Sequence, residues 1–209
     1  VKRAGYLNNN NSISARVGYN HNCTAATSYG MKFLEQKIKG MFLIEPEPFI
    51  DERGVFRRHF CKKEFEDHGI TADVAQCNIS ENKFKHTLRG FHYQSAPHGE
   101  DKTLSCLRGS IYDIVVDLRP DSATYLKWLP FELNENNRKS IHVPTGCANA
   151  FLTLKDNSLI HYYHAQSYQP GAERGIRYND PFFKFKWPAK PRIISDKDKS
   201  WPDFQPEKK

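Results

Sequence analysis

Short apolar runs separated by turn residues dominate the chain from Met31 onward. Each run is rich in β-branched or aromatic residues and is bounded by Gly, Pro, Asn or Asp, which is typical of strands. A helix is predicted at "CKKEFEDHG" (61–69), where Gly69 supplies the stop. Many short strands and few helices favour a β-sandwich or barrel. Strands are predicted in "GMFLIEP", "GVFRRHF", "DVAQCNIS", "TLSCLRGSIYDIVVDLR", "KWLPFELN", "KSIHVP", "AFLTL" and "LIHYYHAQSY".

The two ends of the chain depart from this pattern. Residues 1–30 are rich in Asn, Ser, Gly and Thr and show no sustained period, so we expect a leader or an expression tail outside the fold. Residues 31–209 are expected to form a single domain. The segment after Phe182 is broken by Pro188, Pro191 and Pro202 and is expected to wrap the surface.

Composition narrows the class of protein. The 209 residues are 38% hydrophobic and 26% charged, the balance of a soluble globular domain. No apolar run approaches the roughly 18 residues of a membrane helix, so we expect no membrane partner. The five cysteines are scattered without a CxxC pair, which favours free thiols in a reducing cytoplasm over disulfides or a zinc ribbon.

The formal charge of +7 raises the question of an anionic partner. The basic residues are spread along the chain and interrupted by acids, which argues against a nucleic-acid surface. A solvated basic surface explains most of this charge. The alternative is that part of it faces an anionic small molecule such as a nucleotide diphosphate.

The stretch "LRGFHYQSAPHGEDK" (88–102) concentrates candidate chemistry. A metal could use His92, His98 and Glu100, but metal-binding small barrels usually place two ligands two residues apart on one strand, and that H-x-H spacing is absent. His161 and His164 are an odd number of residues apart, so a regular strand turns them to opposite faces. We therefore expect no metal.

Two other interpretations of the polar residues stay open. Arg53, Arg89 and Arg177 lie beside turn residues, where arginines could grip a diphosphate. His92 could act as a base near neutral pH, although a strand histidine is more often structural. Residue spacing brings no acid or base partner to it.

Seven motifs follow one another along the chain: "FIDERGVF" (49–56), "AQCNIS" (75–80), "LRGFHYQ" (88–94), "GSIYDIVVDLRPDSATY" (109–125), "VPTGCANAFLTL" (143–154), "YQPGAERGIRYNDP" (168–181) and "SDKDKSWPDF" (195–204). Read together, they resemble the dTDP-4-dehydrorhamnose 3,5-epimerase family of cupin-fold enzymes, from about residue 37 to residue 204. The resemblance implies an all-β, jelly-roll β-sandwich (cupin-like) with a few short helices. It also implies a homodimer, no cofactor, and a nucleotide-diphosphate 4-keto-6-deoxyhexose as substrate.

The resemblance also implies roles for individual residues. His92 matches the catalytic base, Asp180 its carboxylate partner, and Tyr162 the acid that protonates the opposite face of the sugar. Lys102 and Arg89 match the groups that stabilise the enolate and hold the sugar diphosphate. Further positions match family contacts to the nucleotide and phosphates: Arg53, Phe56, Gln76, Asn78, Tyr168, Glu173 and Arg177.

Two residues depart from the family pattern. Asn149 stands where a histidine near the sugar is usual, and asparagine hydrogen bonds without titrating. Arg58 replaces a typical glutamate on the nucleotide side, so the base need not be thymine.

We expect inversion at C3, C5 or both. The alternatives are a single-site epimerase on a non-thymidine nucleotide sugar, a 3,4-ketoisomerase and a non-catalytic nucleotide-sugar-binding cupin.

Overall fold

The computed structural model describes residues 29–206, which form fourteen strands and two short helices. In chain order these are β1 (Met31–Glu35), β2 (Phe42–Pro46), β3 (Phe49–Asp51), β4 (Gly54–Phe56), α1 (Lys62–Asp67), β5 (Gln76–Asn82), β6 (Thr87–Gln94), β7 (Lys102–Arg108), β8 (Ser110–Asp117), β9 (Trp128–Asn134), β10 (Ser140–Val143), β11 (Cys147–Thr153), β12 (Ser158–His164), β13 (Glu173–Gly175), β14 (Ile193–Ile194) and α2 (Asp196–Ser200).

The strands build two facing sheets and a separate hairpin. The first sheet has the order β1-β2-β10-β7-β12-β5, and the second has the order β13-β6-β11-β8-β9 with β14 added to β6. Neighbouring strands run antiparallel, except that β14 runs parallel to β6. The hairpin is made by β3 and β4. The predicted β-sandwich is confirmed.

Strand periodicity separates an inner core from two outer layers. Between the sheets, alternate residues such as Leu104, Ile141 and Ile160 of the first sheet pack against Ile111 and Val115 of the second. On the outer face of the first sheet, Phe65 of α1 packs against Phe42 and Ile44. The outer face of the second sheet is covered by the tail, through Phe183, Phe185, Trp187 and Phe204. The prediction that this tail wraps the surface is confirmed.

Most predicted elements appear near their expected positions. The helix expected over 61–69 is α1, and Gly69 follows it with a φ of +71°, a left-handed conformation that suits glycine. The long run in 103–119 divides at Gly109 into β7 and β8, and β8 is buried on both faces. The short helix α2 was not predicted.

Only part of the expected leader and four of the five cysteines lie within the described residues. Tyr29 contacts Phe49 and Phe56, and the Gly30 carbonyl accepts a hydrogen bond from Glu47, so these two residues join the fold. The remainder of the expected leader lies outside the described residues, as does Cys23. Cys61, Cys77, Cys106 and Cys147 are free thiols. Among residues 29–206, no helix is long and apolar enough to cross a membrane.

Candidate active site

A cavity of about 290 Å³ lies between the inner faces of the two sheets. The first sheet contributes side chains from β5, β7 and β12, and the second contributes side chains from β6, β11 and β13. Most of the lining residues have polar side chains, which distinguishes this region from the apolar core beside it. The lining residues are Asn78, Ile79, Ser80, Arg89, His92, Tyr93, Gln94, Glu100, Lys102, Asn149, Phe151, Tyr162, His164, Tyr168 and Glu173.

His92 opens into this cavity with a carboxylate behind it. Its Nε2 lies 2.7 Å from Asp198 Oδ1, and the Asp198 side chain is only 5% exposed. Burial alone would raise the pKa of Asp198, but the hydrogen bond and charge of His92 outweigh it, so the pKa is lowered. An ionised Asp198 accepts the Nε2 proton and leaves Nδ1 as the basic nitrogen of His92.

The prediction that Asp180 is the carboxylate partner of His92 is wrong. Asp180 is buried, but its Oδ1 accepts from the Phe182 amide at 2.9 Å and its Oδ2 from the Phe204 amide at 2.8 Å. Its two oxygens therefore hold the covering tail together. Asp198, which the sequence prediction missed, lies in the same tail on α2, and the tail path brings α2 against β6.

A local signal for α2 is present in "SDKD" (195–198). Ser195 is the N-cap of α2, and its Oγ accepts from the Asp198 amide at 3.1 Å. A serine followed three residues later by an acid is a helix-start signal. This signal predicts the helix, but it does not predict that Asp198 reaches a histidine 106 residues away.

Gly90 sets the approach of β6 to β11, and so the position of His92. Gly90 has a φ of +110°, and a Cβ added there would lie 2.5 Å from the Asn149 carbonyl oxygen. Its amide donates to Asp198 Oδ2 at 3.2 Å, so Gly90 and His92 hold the two oxygens of the same carboxylate. Glycine in "LRGFH" is therefore required by the backbone conformation and by close packing.

Lys102 projects from the first sheet into the same cavity. It is 6% exposed, and its Nζ donates to the His92 carbonyl at 3.0 Å. Glu100 Oε1 lies 3.7 Å from Nζ, and Glu100 Oε2 lies 3.1 Å from His164 Nδ1. Glu100, which the sequence analysis considered only as a metal ligand, lies in the loop before β7, and its side chain lines the cavity.

Tyr162 stands on the sheet that faces His92. It belongs to β12, whereas His92 belongs to β6, and facing sheets are about 10 Å apart. Burial raises the pKa of the Tyr162 hydroxyl, and the nearby Asp113 raises it further. A phenol with a raised pKa keeps its proton, so the site can present a base on one side of a ligand and an acid on the other.

Asn149 lies on the floor of the cavity above a buried carboxyl group. Its Nδ2 donates to Asp113 Oδ1 at 2.9 Å, and Asp113 is fully buried. Burial raises the pKa of Asp113 to about 8, against the opposing effects of the Asn149 hydrogen bond and the Lys102 charge. Asn149 therefore rests on a group that is mostly neutral at pH 7.

The predicted substrate contacts divide into two groups. Asn78, Arg89, Asn149, Tyr168 and Glu173 line the cavity, and Gln76 Oε1 accepts from the Tyr168 amide at 3.0 Å. The remaining four do not line the cavity of their own chain. They are Arg53, Phe56, Arg58 and Arg177.

These four side chains have other surroundings. Arg53 and Phe56 lie on the exposed β3–β4 hairpin. Arg58 pairs with Glu64 of α1, on the outer face of the first sheet, and its predicted place on the nucleotide side stays a prediction. Arg177 pairs with Asp203 of the tail. Arg53 and Arg177 were singled out for the turn residues beside them and Arg58 through the family resemblance, but the direction of each side chain depends on the surrounding fold.

His161 and His164 face opposite sides of the first sheet, as their spacing predicted. His164 faces the cavity, whereas His161 faces outward, where its Nδ1 lies 3.3 Å from His59 and its Nε2 lies 2.9 Å from Cys77 Sγ. Within residues 29–206, no group of three or more His, Cys, Asp or Glu side chains is arranged to hold a metal. The expectation that the protein uses no metal stays a prediction.

Comparison with known proteins decides the family. The family model for dTDP-4-dehydrorhamnose 3,5-epimerase matches residues 35–206. The chain belongs to the dTDP-4-dehydrorhamnose 3,5-epimerase family. A relative of that name from Methanothermobacter thermautotrophicus is 36% identical over 174 residues, covering 81% of this chain and 92% of the relative.

Solved structures of the epimerase family share the fold. The Bacillus anthracis dTDP-4-dehydrorhamnose 3,5-epimerase, solved with TDP and PPi bound, is 34% identical with a TM-score of 0.81, and the match covers 84% of this chain and all of that one. A 3'-monoepimerase from Streptomyces bikiniensis, in complex with dTDP-quinovose, is 29% identical with a TM-score of 0.75, covering 80% and 85% of the two chains. The predicted cupin-like jelly roll is confirmed.

Proposed function

We propose that this protein inverts C3, C5 or both of a nucleotide-diphosphate 4-keto-6-deoxyhexose of the dTDP-4-dehydro-6-deoxyglucose type. One observation carries the proposal: the His92–Asp198 pair and Tyr162 stand on facing sheets around one cavity that also holds Lys102. Inversion at carbon needs a base and an acid on opposite faces of the sugar, and this arrangement supplies both.

The chemistry assigns each group a step. The ketone at C4 acidifies the neighbouring C–H bonds, and His92 Nδ1 removes the proton from C3 or C5. Asp198 stabilises the imidazolium that forms, and the electron pair moves onto O4 as an enolate. The Lys102 ammonium stabilises that negative oxygen. Tyr162 then delivers its proton to the opposite face of the carbon, and solvent restores both groups.

The charge of the cavity fits the diphosphate of such a substrate. Arg89 lines the cavity, and its Nε donates to Asn82 Oδ1 of β5 at 2.8 Å, which ties the guanidinium to the facing sheet. A positioned arginine can hold a phosphate through two hydrogen bonds. The family relatives act on or bind thymidine-linked sugars and nucleotides according to their names, which supports a thymidine nucleotide here.

Deuterium exchange tests this function directly. In D₂O, the protein is expected to incorporate deuterium at C3, C5 or both of dTDP-4-keto-6-deoxyglucose, with inversion visible by NMR. A parallel panel of guanosine-, cytidine- and uridine-linked ketosugars shows which nucleotide is preferred. If no ketosugar in the panel exchanges, the protein is not an epimerase of this class.

Single-site epimerisation is the second candidate, favoured by the structural similarity to the Streptomyces bikiniensis 3'-monoepimerase. Deuterium at one carbon would establish it, whereas deuterium at both would establish double epimerisation. A 3,4-ketoisomerase would instead move the carbonyl group, and a binding protein would retain the sugar without exchange.

The cytoplasmic location inferred from the cysteines stays a prediction.

We also propose a homodimer in which each β3–β4 hairpin reaches the partner's cavity. Ile50 of the hairpin is 65% exposed, Phe56 is 63% exposed, and the Arg53 side chain is 80% exposed. All three lie in "FIDERGVF" (49–56), one of the motifs that resemble the family. Exposed apolar side chains on a structured hairpin are typical of an interface. Under this arrangement, Arg53 and Phe56 bind the nucleotide of the neighbouring subunit.

Sedimentation tests the dimer. Wild-type protein is expected to sediment as a dimer, and Phe56→Asp is expected to sediment as a monomer with weaker nucleotide binding, because it places a charge in the apolar contact. Phe84→Asp alters another exposed phenylalanine, 45% exposed between β5 and β6, and should stay dimeric. Wild-type protein that sediments as a monomer would contradict the arrangement.

A further inference from the structure

The Lys102 ammonium lies in a buried position, where its positive charge must be stabilised by a nearby group. The side chain is buried, and the Nζ hydrogen bond to the His92 carbonyl is to a neutral acceptor. Burial lowers the pKa of Lys102, because an ammonium loses its hydration there. A buried lysine that must be charged to stabilise an enolate therefore needs an anion at a fixed position beside it.

The charges of three carboxyl groups act to raise the pKa of Lys102: Glu100, Asp113 and Glu173. Asp113 raises the pKa of Lys102 less than Glu100 does. Its Oδ1 accepts from Asn149, and it is mostly neutral at pH 7 because burial raises its own pKa to about 8. Glu173 is already paired with Lys197 and accepts from the Tyr168 hydroxyl at 3.3 Å. Glu100 is left as the anion available to Lys102, with Oε1 at 3.7 Å from Nζ.

The cavity holds Glu100 as a carboxylate in a fixed position. The side chain is 11% exposed, and Oε2 is contacted by His164 Nδ1 at 3.1 Å and by Gln94 Nε2 at 3.4 Å. Burial would raise the pKa of Glu100, but the His164 hydrogen bond and the Lys102 charge outweigh it, and the pKa is lowered. Glu100 therefore bridges β7 and β12 on the cavity side of the first sheet.

We propose that Glu100 is a positioning residue for the reaction: its carboxylate keeps the Lys102 ammonium protonated and in place, while His164 and Gln94 hold that carboxylate. The inference rests on the proposed function, because the charge of Lys102 matters to catalysis only when a substrate oxygen becomes negative. Under this proposal, the loop before β7 contributes to catalysis through the Glu100 carboxylate, which acts on Lys102 and does not touch the reacting atoms.

The pH dependence of kcat/KM tests the proposal. Glu100→Gln removes a negative neighbour, which favours the neutral amine and lowers the pKa of Lys102. Opposite charges at this range shift a pKa by about 1–3 units, so the alkaline limb of the profile should move down by about 1–3 pH units. On the acid side of that limb, the rate should stay within several-fold of wild type. A purely structural role would instead lower the rate alike at every pH.

Two further variants separate charge from folding. Glu100→Asp keeps the carboxylate and should return the limb most of the way to its wild-type position. Asp101→Asn removes an equal charge from the next residue, whose side chain faces the Thr145 amide and hydroxyl at 2.6 and 2.7 Å. Its alkaline limb should coincide with that of wild type. A Glu100→Gln limb that also coincides with wild type would overturn the proposal.

A direct titration makes the result independent of activity. In protein labelled with ¹⁵N-lysine, the Nζ signal of Lys102, assigned by its loss in Lys102→Met, should titrate at lower pH in Glu100→Gln than in wild type. Equal midpoints would refute the role of Glu100 even in an active enzyme. Absence of exchange by wild-type protein with any ketosugar would refute the proposed function, and the titration would still report on Glu100 and Lys102.

Discussion

Asp198→Asn is expected to lower the rate of deuterium incorporation by about 10²–10⁴-fold, the range that general base catalysis and its carboxylate partner contribute. The reason is the 2.7 Å contact between Asp198 Oδ1 and His92 Nε2. An amide can still accept a hydrogen bond from the ring, but it supplies no negative charge to stabilise the imidazolium. The measurement is exchange at saturating ketosugar, followed by NMR.

Asp180→Asn is the matched control, because it makes the same change in a buried carboxylate of the same tail. Asparagine can accept only through its single oxygen, so one of the two amides of Phe182 and Phe204 loses its partner. The expected cost is about 1–3 kcal/mol of unfolding free energy, with exchange by the folded protein near wild type. The reverse result, with exchange lost in Asp180→Asn and kept in Asp198→Asn, would restore Asp180 as the partner of His92.

Tyr162→Phe is expected to lower the rate of inversion by about 10²–10⁴-fold while leaving part of the exchange, because the two events need different groups. His92 can still remove the proton and return a deuteron from solvent to the same face. The loss of the phenolic proton on the facing sheet prevents delivery to the other face. NMR of the recovered sugar should therefore show deuterium with the starting configuration retained.

Tyr163→Phe provides the control on the next residue. Tyr163 points to the outer face of the first sheet, where its ring lies 5.2 Å from Phe60 and 5.7 Å from His59. This variant should invert its substrate at the wild-type rate. If Tyr162→Phe inverts normally, another acid protonates the carbon. If it loses exchange along with inversion, Tyr162 is needed for proton removal as well.

The strands and the helix α1 were predictable because their signals are local. Alternating apolar residues fix which side of a strand faces a core, and this is also why His161 and His164 could be assigned to opposite faces before their partners were known. Gly69 and Gly109 end elements in the positive-φ conformations that glycine adopts readily. Neither inference requires a contact between distant parts of the chain.

Asp180 and Asp198 show where such reasoning stops. Both are buried carboxylates in the tail that covers the second sheet, and both lie in motifs shared with the family. Composition and spacing treat them alike. The turn after Asp180 directs it to backbone amides of the tail, whereas the cap at Ser195 starts a helix that carries Asp198 to β6.

The sequence by itself determined the sandwich class, and the resemblance of its motifs to a known family implied that His92, Lys102 and Tyr162 share one site. The tertiary structure alone decided that Asp198 supports His92, that Glu100 faces Lys102, and that Arg58 turns to Glu64. The physical reason is that residue order sets the face of a strand, whereas the partners of a charge depend on how loops and the tail return to the sheets. A buried charge is stabilised by those partners, and they come from any distance along the chain.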